Sequence, residues 1–263
     1  ADIELVRSVT VSDLYGFMVY CKEELRNNTA TRARKTSTLR LFFKYMSVQT
    51  HRLESNPADL LEAPKIKQSL PKYLSLEDSL ELLNSVDGEN ERRDYCILTI
   101  FLNCGLRLSE LCGLNLSDIS SDGTMTVTGK GNKERMVYLN DSCKTAIKRY
   151  LEVRPHEGLT AESKNALFIS RNHKRISPRT VEHIVTSYIK KAGLDGKGLS
   201  THKLRHTAAT LMYQHGHVDI RVLKDILGHA NLGTTQIYTH VSDEQIKAAI
   251  DSNPLSSVRD KTK

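Results

Sequence analysis

Along most of this chain apolar side chains return every three or four residues, the spacing of one helix face, and in a single stretch the period drops to two. Leu14, Phe17, Met18, Cys21 and Leu25 form the inward stripe of a helix expected over residues 12–26, with Ser12 or Asp13 as its cap. A second helix is expected from Thr31 to Val48, with Leu39, Phe42, Phe43 and Met46 facing inward. Asn56-Pro57 and Pro64 break this helical unit. The following APKIKQSLPKYLS, with prolines 64 and 71 and lysines 65, 67 and 72, reads as a linker, with the boundary near residue 70.

Beyond the linker, Ser75 caps an amphipathic helix bearing Leu76, Leu80, Leu82 and Leu83. Residues 92–104 form a strongly apolar helix (Tyr95, Leu98, Ile100, Phe101, Leu102) that Gly105 is suited to end in a left-handed conformation. Arg107 opens a short helix, and Glu110 follows one turn on, where it can pair with the arginine. From Asp118 the period is two. Met125 and Val127, then Met136, Val137 and Leu139, read as strands around a turn at Gly129 to Asn132, after a tight turn at Asp122-Gly123. The expected hairpin carries Lys130 at its tip. The rest reads as helices over about 141–153, 178–192, 201–215, 219–227 and 243–250, so the expected fold is mainly α with a small antiparallel β-sheet. No internal repeat and no low-complexity segment interrupts it.

Composition changes this picture in two ways. The chain has 263 residues, room for one large domain or two smaller ones, and a formal charge of +7, which favours an anionic partner, nucleic acid being the commonest. The charge gathers on the second helix, where Arg32, Arg34, Lys35, Thr36, Ser37, Arg40 and Lys44 mix cations with small hydroxyls, as a helix lying along DNA phosphates requires. The linker cations Lys65, Lys67 and Lys72, and Arg179 farther on, are further candidates for DNA contact. No apolar run approaches the ~18–20 residues of a membrane span and no signal peptide opens the chain. Its five cysteines contain no CxxC pair, and Cys96, Cys104 and Cys112 among apolar neighbours read as buried reduced thiols. A cytoplasmic protein without membrane contact is the expectation.

The chemistry concentrates in LSTHKLRHTAATLMYQHGHVDIRVLKDILGHANLGTTQIYTH, residues 199–240. His202 and Arg205 stand one helical turn apart near a helix start, where the backbone adds positive partial charge; His229 and Tyr238 follow. With Arg107 and Lys130 these are the parts needed to hold a phosphodiester and attack it with a phenol. Two guanidiniums neutralise the phosphate as it becomes five-coordinate. A phenol of pKa ~10 needs a base or cationic pocket, for which His202 serves as base or relay. His229 donates to the phosphate, and Lys130 reaches the leaving 5′-oxygen as general acid. A zinc pair at His202 and His206 lacks the glutamate of HExxH, and no metal is expected. GTMTVTGKG fails as a phosphate loop: it has five residues where four are needed and no Ser or Thr after the lysine. His206, His215 and His217 read as packing and capping residues.

GLRLSEL, TGKGNKER, THKLRHTAAT and LKDILGHANLGTTQIYTH, in this order, resemble the tyrosine recombinase (phage integrase) family, and its Xer-type branch most. The resemblance implies a two-domain, C-shaped DNA clamp. A helical core-binding domain would span 1–66, with its first helix shortened or absent and no amino-terminal arm-binding domain. A linker over 67–74, a catalytic domain over 75–240 and a tail over 241–263 would follow, the tail's helix (Ile246, Ala249, Ile250) docking on a neighbouring subunit. It also implies Arg107, Lys130, His202, Arg205, His229 and the nucleophile Tyr238 as the catalytic set, with Glu110 in support. The activity implied is site-specific strand exchange through a 3′-phosphotyrosyl link and a Holliday junction, without metal, ATP or other cofactor. The implied assembly is a homotetramer, or a heterotetramer with a second recombinase, on synapsed double-stranded sites in the bacterial cytoplasm, with room for an accessory protein. Chromosome-dimer resolution (chromosome partition), phage integration and transposon movement stay open as its task. Three rivals remain: a type IB topoisomerase, a metal-dependent nuclease, and a non-enzymatic regulator using helices 201–215 and 219–227 around Gly216 as a helix-turn-helix, with Arg221 and Lys224 in a groove.

Overall fold

Short polar side chains set where the helices begin. The computed structural model describes residues 2–65, 72–129, 131–216 and 218–228. The chain divides into two compact units, Ala1–Ser69 and Leu70–Lys263.

In the first unit Asp2 caps α1 (Ile3–Arg7), an element the apolar pattern does not foretell. Helix α2 (Val11–Glu23) is capped by Thr10 rather than by Ser12 or Asp13. Asp13 is instead the reciprocal partner: its carboxylate accepts from Thr10 N at 2.9 Å, while its own N–H donates to Thr10 Oγ1 at 3.3 Å. Asn28 caps α3 (Thr29–Lys44), which runs on into one wide π-type turn, Tyr45–Gln49. The small core holds Leu14, Met18, Phe43, Met46, Leu53, Ala58 and Leu61. Phe17, Leu25 and Phe42 are exposed, against expectation. Phe17 and Phe42 each precede a buried residue (Met18, Phe43), and one residue turns the side chain by about 100° around the helix. The same arithmetic corrects Thr36. With Ala33 and Phe43 it lies on the buried stripe of α3, fully enclosed, and its hydroxyl donates to Arg32 O at 3.1 Å, so it cannot touch DNA.

The second unit opens on Ser75, whose Oγ accepts from Asp78 N at 3.0 Å to cap α4 (Leu76–Asn84). Helix α5 (Glu91–Cys104) follows, then α6 (Leu108–Gly113), the strands β1 (Thr124–Thr128) and β2 (Glu134–Tyr138), α7 (Asp141–Leu151), α8 (Pro178–Lys191), α9 (Thr201–Gly216) and α10 (Ile220–Leu227). Helix α5 is apolar nearly all round and is the hub, packed against α4, α7, α8 and α9, with Ile97, Leu98, Ile100 and Phe101 fully buried. Gly105 ends it at φ +60°, where any side chain is strained and a Cβ would meet Leu227 Cδ2 at 2.8 Å. The strands pair antiparallel, Thr124 opposite Tyr138 and Val127 opposite Arg135. The buried Met125, Val127 and Val137 turn toward the core, whereas Met136 is exposed. The amide of Leu74 donates to Thr207 Oγ1 at 3.0 Å and so ties the entry of the unit to α9. All five cysteines are buried free thiols, Cys104 and Cys143 with sulfurs 3.8 Å apart. Among the described residues no helix is long and apolar enough to cross a membrane.

Candidate active site

The site is built around one carboxylate. Glu110, in the first turn of α6, is 1% exposed at its side chain and takes hydrogen bonds on both oxygens. Arg107, at the N-cap of the same helix, donates through its backbone N to Oε2 at 2.8 Å and through Nη1 to Oε1 at 2.6 Å. Arg135 reaches in from β2 with a two-pronged fork, Nη1 to Oε1 and Nη2 to Oε2, both at 2.9 Å. Arg205, one turn into α9, brings Nη1 to 3.8 Å from Oε2. Burial alone would raise the Glu110 carboxyl; the hydrogen bonds and charges of Arg135 and Arg107 overcome it and hold the group down at about 2. Among the described residues three guanidiniums meet one carboxylate, a positive balance that suits an incoming phosphate.

The same arginines close the end of α10. Arg135 Nε donates to Ile226 O at 3.1 Å, Arg205 Nη2 to Leu227 O at 2.6 Å, and Arg107 Nη2 to Gly228 O at 3.1 Å. Three successive carbonyls at a helix C-terminus, the negative end of its dipole, thus each hold a different cation. Gly228 sits at φ +63°, and a Cβ there would lie 3.0 Å from Arg135 Cδ, so glycine lets the chain turn against the arginine. Arg205 also donates to Gly105 O at 2.6 Å, joining the end of α5 to the cluster. Arg107 keeps 37% of its side chain exposed, while Arg205 is only 3% exposed. His202, at the start of α9, stacks edge-to-face on His206 with ring centres 4.5 Å apart. Burial first, then the charges of Arg205, Lys203 and Arg107, lower its pKa, so the ring is neutral at pH 7 and able to accept a proton.

Of the residues singled out in the sequence, Arg107, Glu110, His202 and Arg205 therefore lie on adjoining helix ends of one unit, and Arg107 and Arg205 converge on Glu110. Lys130, His229 and Tyr238 lie outside the described residues, as do Lys67 and the helix expected over 243–250. Gly129 and Gly228 bring the chain to the residues just before Lys130 and His229. On α3, Arg34, Ser37, Arg40 and Lys44 are exposed and Arg32 and Lys35 half-buried, and Lys35 lies 5.5 Å over the Phe17 ring. Leu41 and Val48 are exposed on the same helix and its continuation, so this surface is mixed, not purely cationic. Lys65, Lys72 and Arg179 are exposed. Sequence reasoning missed Arg135. Its signal was the strand period: it stands two residues before the inward Val137, and a buried cation needs a buried partner.

The sequence profile of the phage integrase family matches residues 72–245. Tyrosine recombinase XerC of Caldanaerobacter subterraneus subsp. tengcongensis is 52% identical over 255 residues, 97% of this chain and 71% of that protein. Tyrosine recombinase XerD of Proteus mirabilis is 40% identical over 243 residues, 91% of this chain and 77% of that protein. In fold, the chain is similar to XerH site-specific recombinase bound to a palindromic difH substrate in a post-cleavage complex, with a TM-score of 0.77 and 24% identity over 94% of this chain and 73% of that one. The three arginines around Glu110 thus stand in a chain that belongs to the phage integrase family, among its Xer-type tyrosine recombinases.

Proposed function

We propose that this recombinase cuts and rejoins double-stranded DNA at a specific site, with Tyr238 as the nucleophile. His202, neutral at pH 7, takes the phenolic proton, and the phenolate attacks the phosphorus. The bond to the 5′-oxygen breaks, and Lys130 donates the proton that makes it a hydroxyl. Arg107 and Arg205 carry the charge of the five-coordinate phosphate, with His229 donating to an oxygen, and Glu110 fixes the two arginines. The product is a 3′-phosphotyrosyl link that keeps the energy of the original bond. The 5′-hydroxyl of a partner strand then attacks that phosphorus and frees Tyr238, so a Holliday junction forms without ATP. On this chemistry guanidiniums and a lysine fill the place of a metal.

The observation that carries this reading is the convergence of Arg107 and Arg205, nearly a hundred residues apart in sequence, on one buried carboxylate beside the helix end that leads into His229. The recombinase relatives favour strand exchange over plain supercoil relaxation or non-enzymatic regulation. Arg34, Ser37, Arg40 and Lys44 on α3, with Lys65, Lys72 and Arg179, are assigned to the DNA backbone, residues 1–66 to core binding and 75–240 to catalysis. Four protomers, identical or paired with a second recombinase, would act on two sites in the bacterial cytoplasm; chromosome partition is one task this would serve. The test is a pool of nicked suicide duplexes with a randomised segment, incubated with the chain and run on a denaturing gel. Slow-migrating protein–DNA adducts from wild type and none from Tyr238→Phe are expected. Adducts of equal yield from both would overturn the proposal.

A further inference from the structure

We propose that Arg135 is a positioning residue for strand cleavage, holding the hairpin that carries Lys130 against the Glu110 cluster; this rests on the recombinase reading above. Arg135 is the one described side chain that bonds both Glu110 and the end of α10 from the hairpin itself. Its fork fills one lone pair on each Glu110 oxygen, and its Nε holds Ile226 O. The side chain is 13% exposed, so it faces inward and presents little surface to DNA. The turn end of the hairpin rests on this pair. Gly129, the residue before Lys130, bonds Lys133 O through its N–H at 2.7 Å, and a Cβ on it would lie 3.4 Å from Glu110 Oε1 and 4.0 Å from Arg135 Nη1.

A two-stranded hairpin alone is marginal in water; buried Met125, Val127 and Val137 seat this one on the core, and the direction of its turn end depends on what holds it there. Here the anchor is a planar fork on a buried carboxylate, which fixes angle as well as distance. Lysine at this position would keep the charge but lose the second prong and the bond to Ile226 O. Protonation of the leaving oxygen from this hairpin would then slow, since a misplacement of about 1 Å costs roughly 100-fold in rate.

The discriminating experiment compares Arg135→Lys with wild type in single-turnover cleavage of two suicide duplexes. One has an ordinary phosphodiester; the other has a sulfur in place of the bridging 5′-oxygen, a leaving group that departs as thiolate without a proton. The variant is expected to be slower by about 10- to 100-fold on the ordinary duplex and within a few-fold of wild type on the sulfur one. The ratio of the two rates does not depend on how much of the variant folds. Equal slowing on both duplexes, or on neither, would overturn the inference while leaving the recombinase reading intact. A wild-type chain that forms no adduct with either would overturn that reading and this inference together.

Discussion

Replacing Glu110 by Gln keeps the shape of the side chain and removes its charge, and the structure states what that charge is worth. The carboxyl lies at about 2 instead of its ordinary 4.5, and each tenfold in proton affinity is about 1.4 kcal/mol. At pH 7 the native pairing therefore contributes on the order of 3 kcal/mol, a figure in line with breaking a buried ion pair. With a slope near 3 kcal/mol per molar urea, Glu110→Gln lowers the urea midpoint by about 1 M at pH 7. Because the folded carboxyl is the more acidic, this stabilisation is complete above about 4.5 and is lost as pH falls toward 2. The gap between wild type and variant should accordingly narrow from pH 5 to pH 3, while other carboxylates, common to both proteins, cancel. Urea titrations followed by circular dichroism at several pH values measure it. A gap below about 0.2 M at pH 7, or one that stays constant down to pH 3, would show that the Glu110 charge does not hold the fold.

Arg205→Ala and Arg107→Ala should each slow single-turnover cleavage by at least about 100-fold. Arg205→Ala should also cost more stability by thermal melting, because it strips the partner from two buried carbonyls, Gly105 O and Leu227 O. On α3, Arg34→Ala and Arg40→Ala should each weaken DNA binding and reduce the salt slope by about 1 in gel-shift titrations, while Thr36→Val, enclosed in the helix interior, should leave both unchanged. Burial and the neighbouring cations lower the His202 pKa, which favours its neutral form. Cleavage should hold its rate from pH 8 to pH 7 and fall only at more acid pH; a loss centred above pH 7 would remove His202 as the base.

Local signals were legible where a single residue type decides the backbone. Ser75 before its leucines and Gly105 after the apolar α5 mark the ends of helices because a short hydroxyl and a left-handed φ answer unpaired backbone groups. The Arg107–Glu110 pair was legible for the same reason, since its members lie three residues apart on one helix. Facing was read less well. Phe17, Phe42 and Thr36 were each placed on the wrong side because a row of neighbouring candidates spans more of the helix than one face holds. Arg135 was hidden for a different reason. Its partners, Glu110 and Ile226, are 25 and 91 residues away, so only the packed fold makes a charged strand residue part of the site. The cap of α2 lies at Thr10, two residues before Ser12 and three before Asp13, because Thr10 and Asp13 satisfy each other reciprocally and Asp13 has the side chain of a cap as well.

The nucleophile is identified by trapping the covalent complex on a suicide duplex, digesting it with protease and nuclease, and sequencing the nucleotide-bearing peptide by mass spectrometry. A 3′-phosphonucleotide on Tyr238, in the peptide that follows His229, is expected. A nucleotide on any other residue, or on a 5′-phosphate, would contradict it.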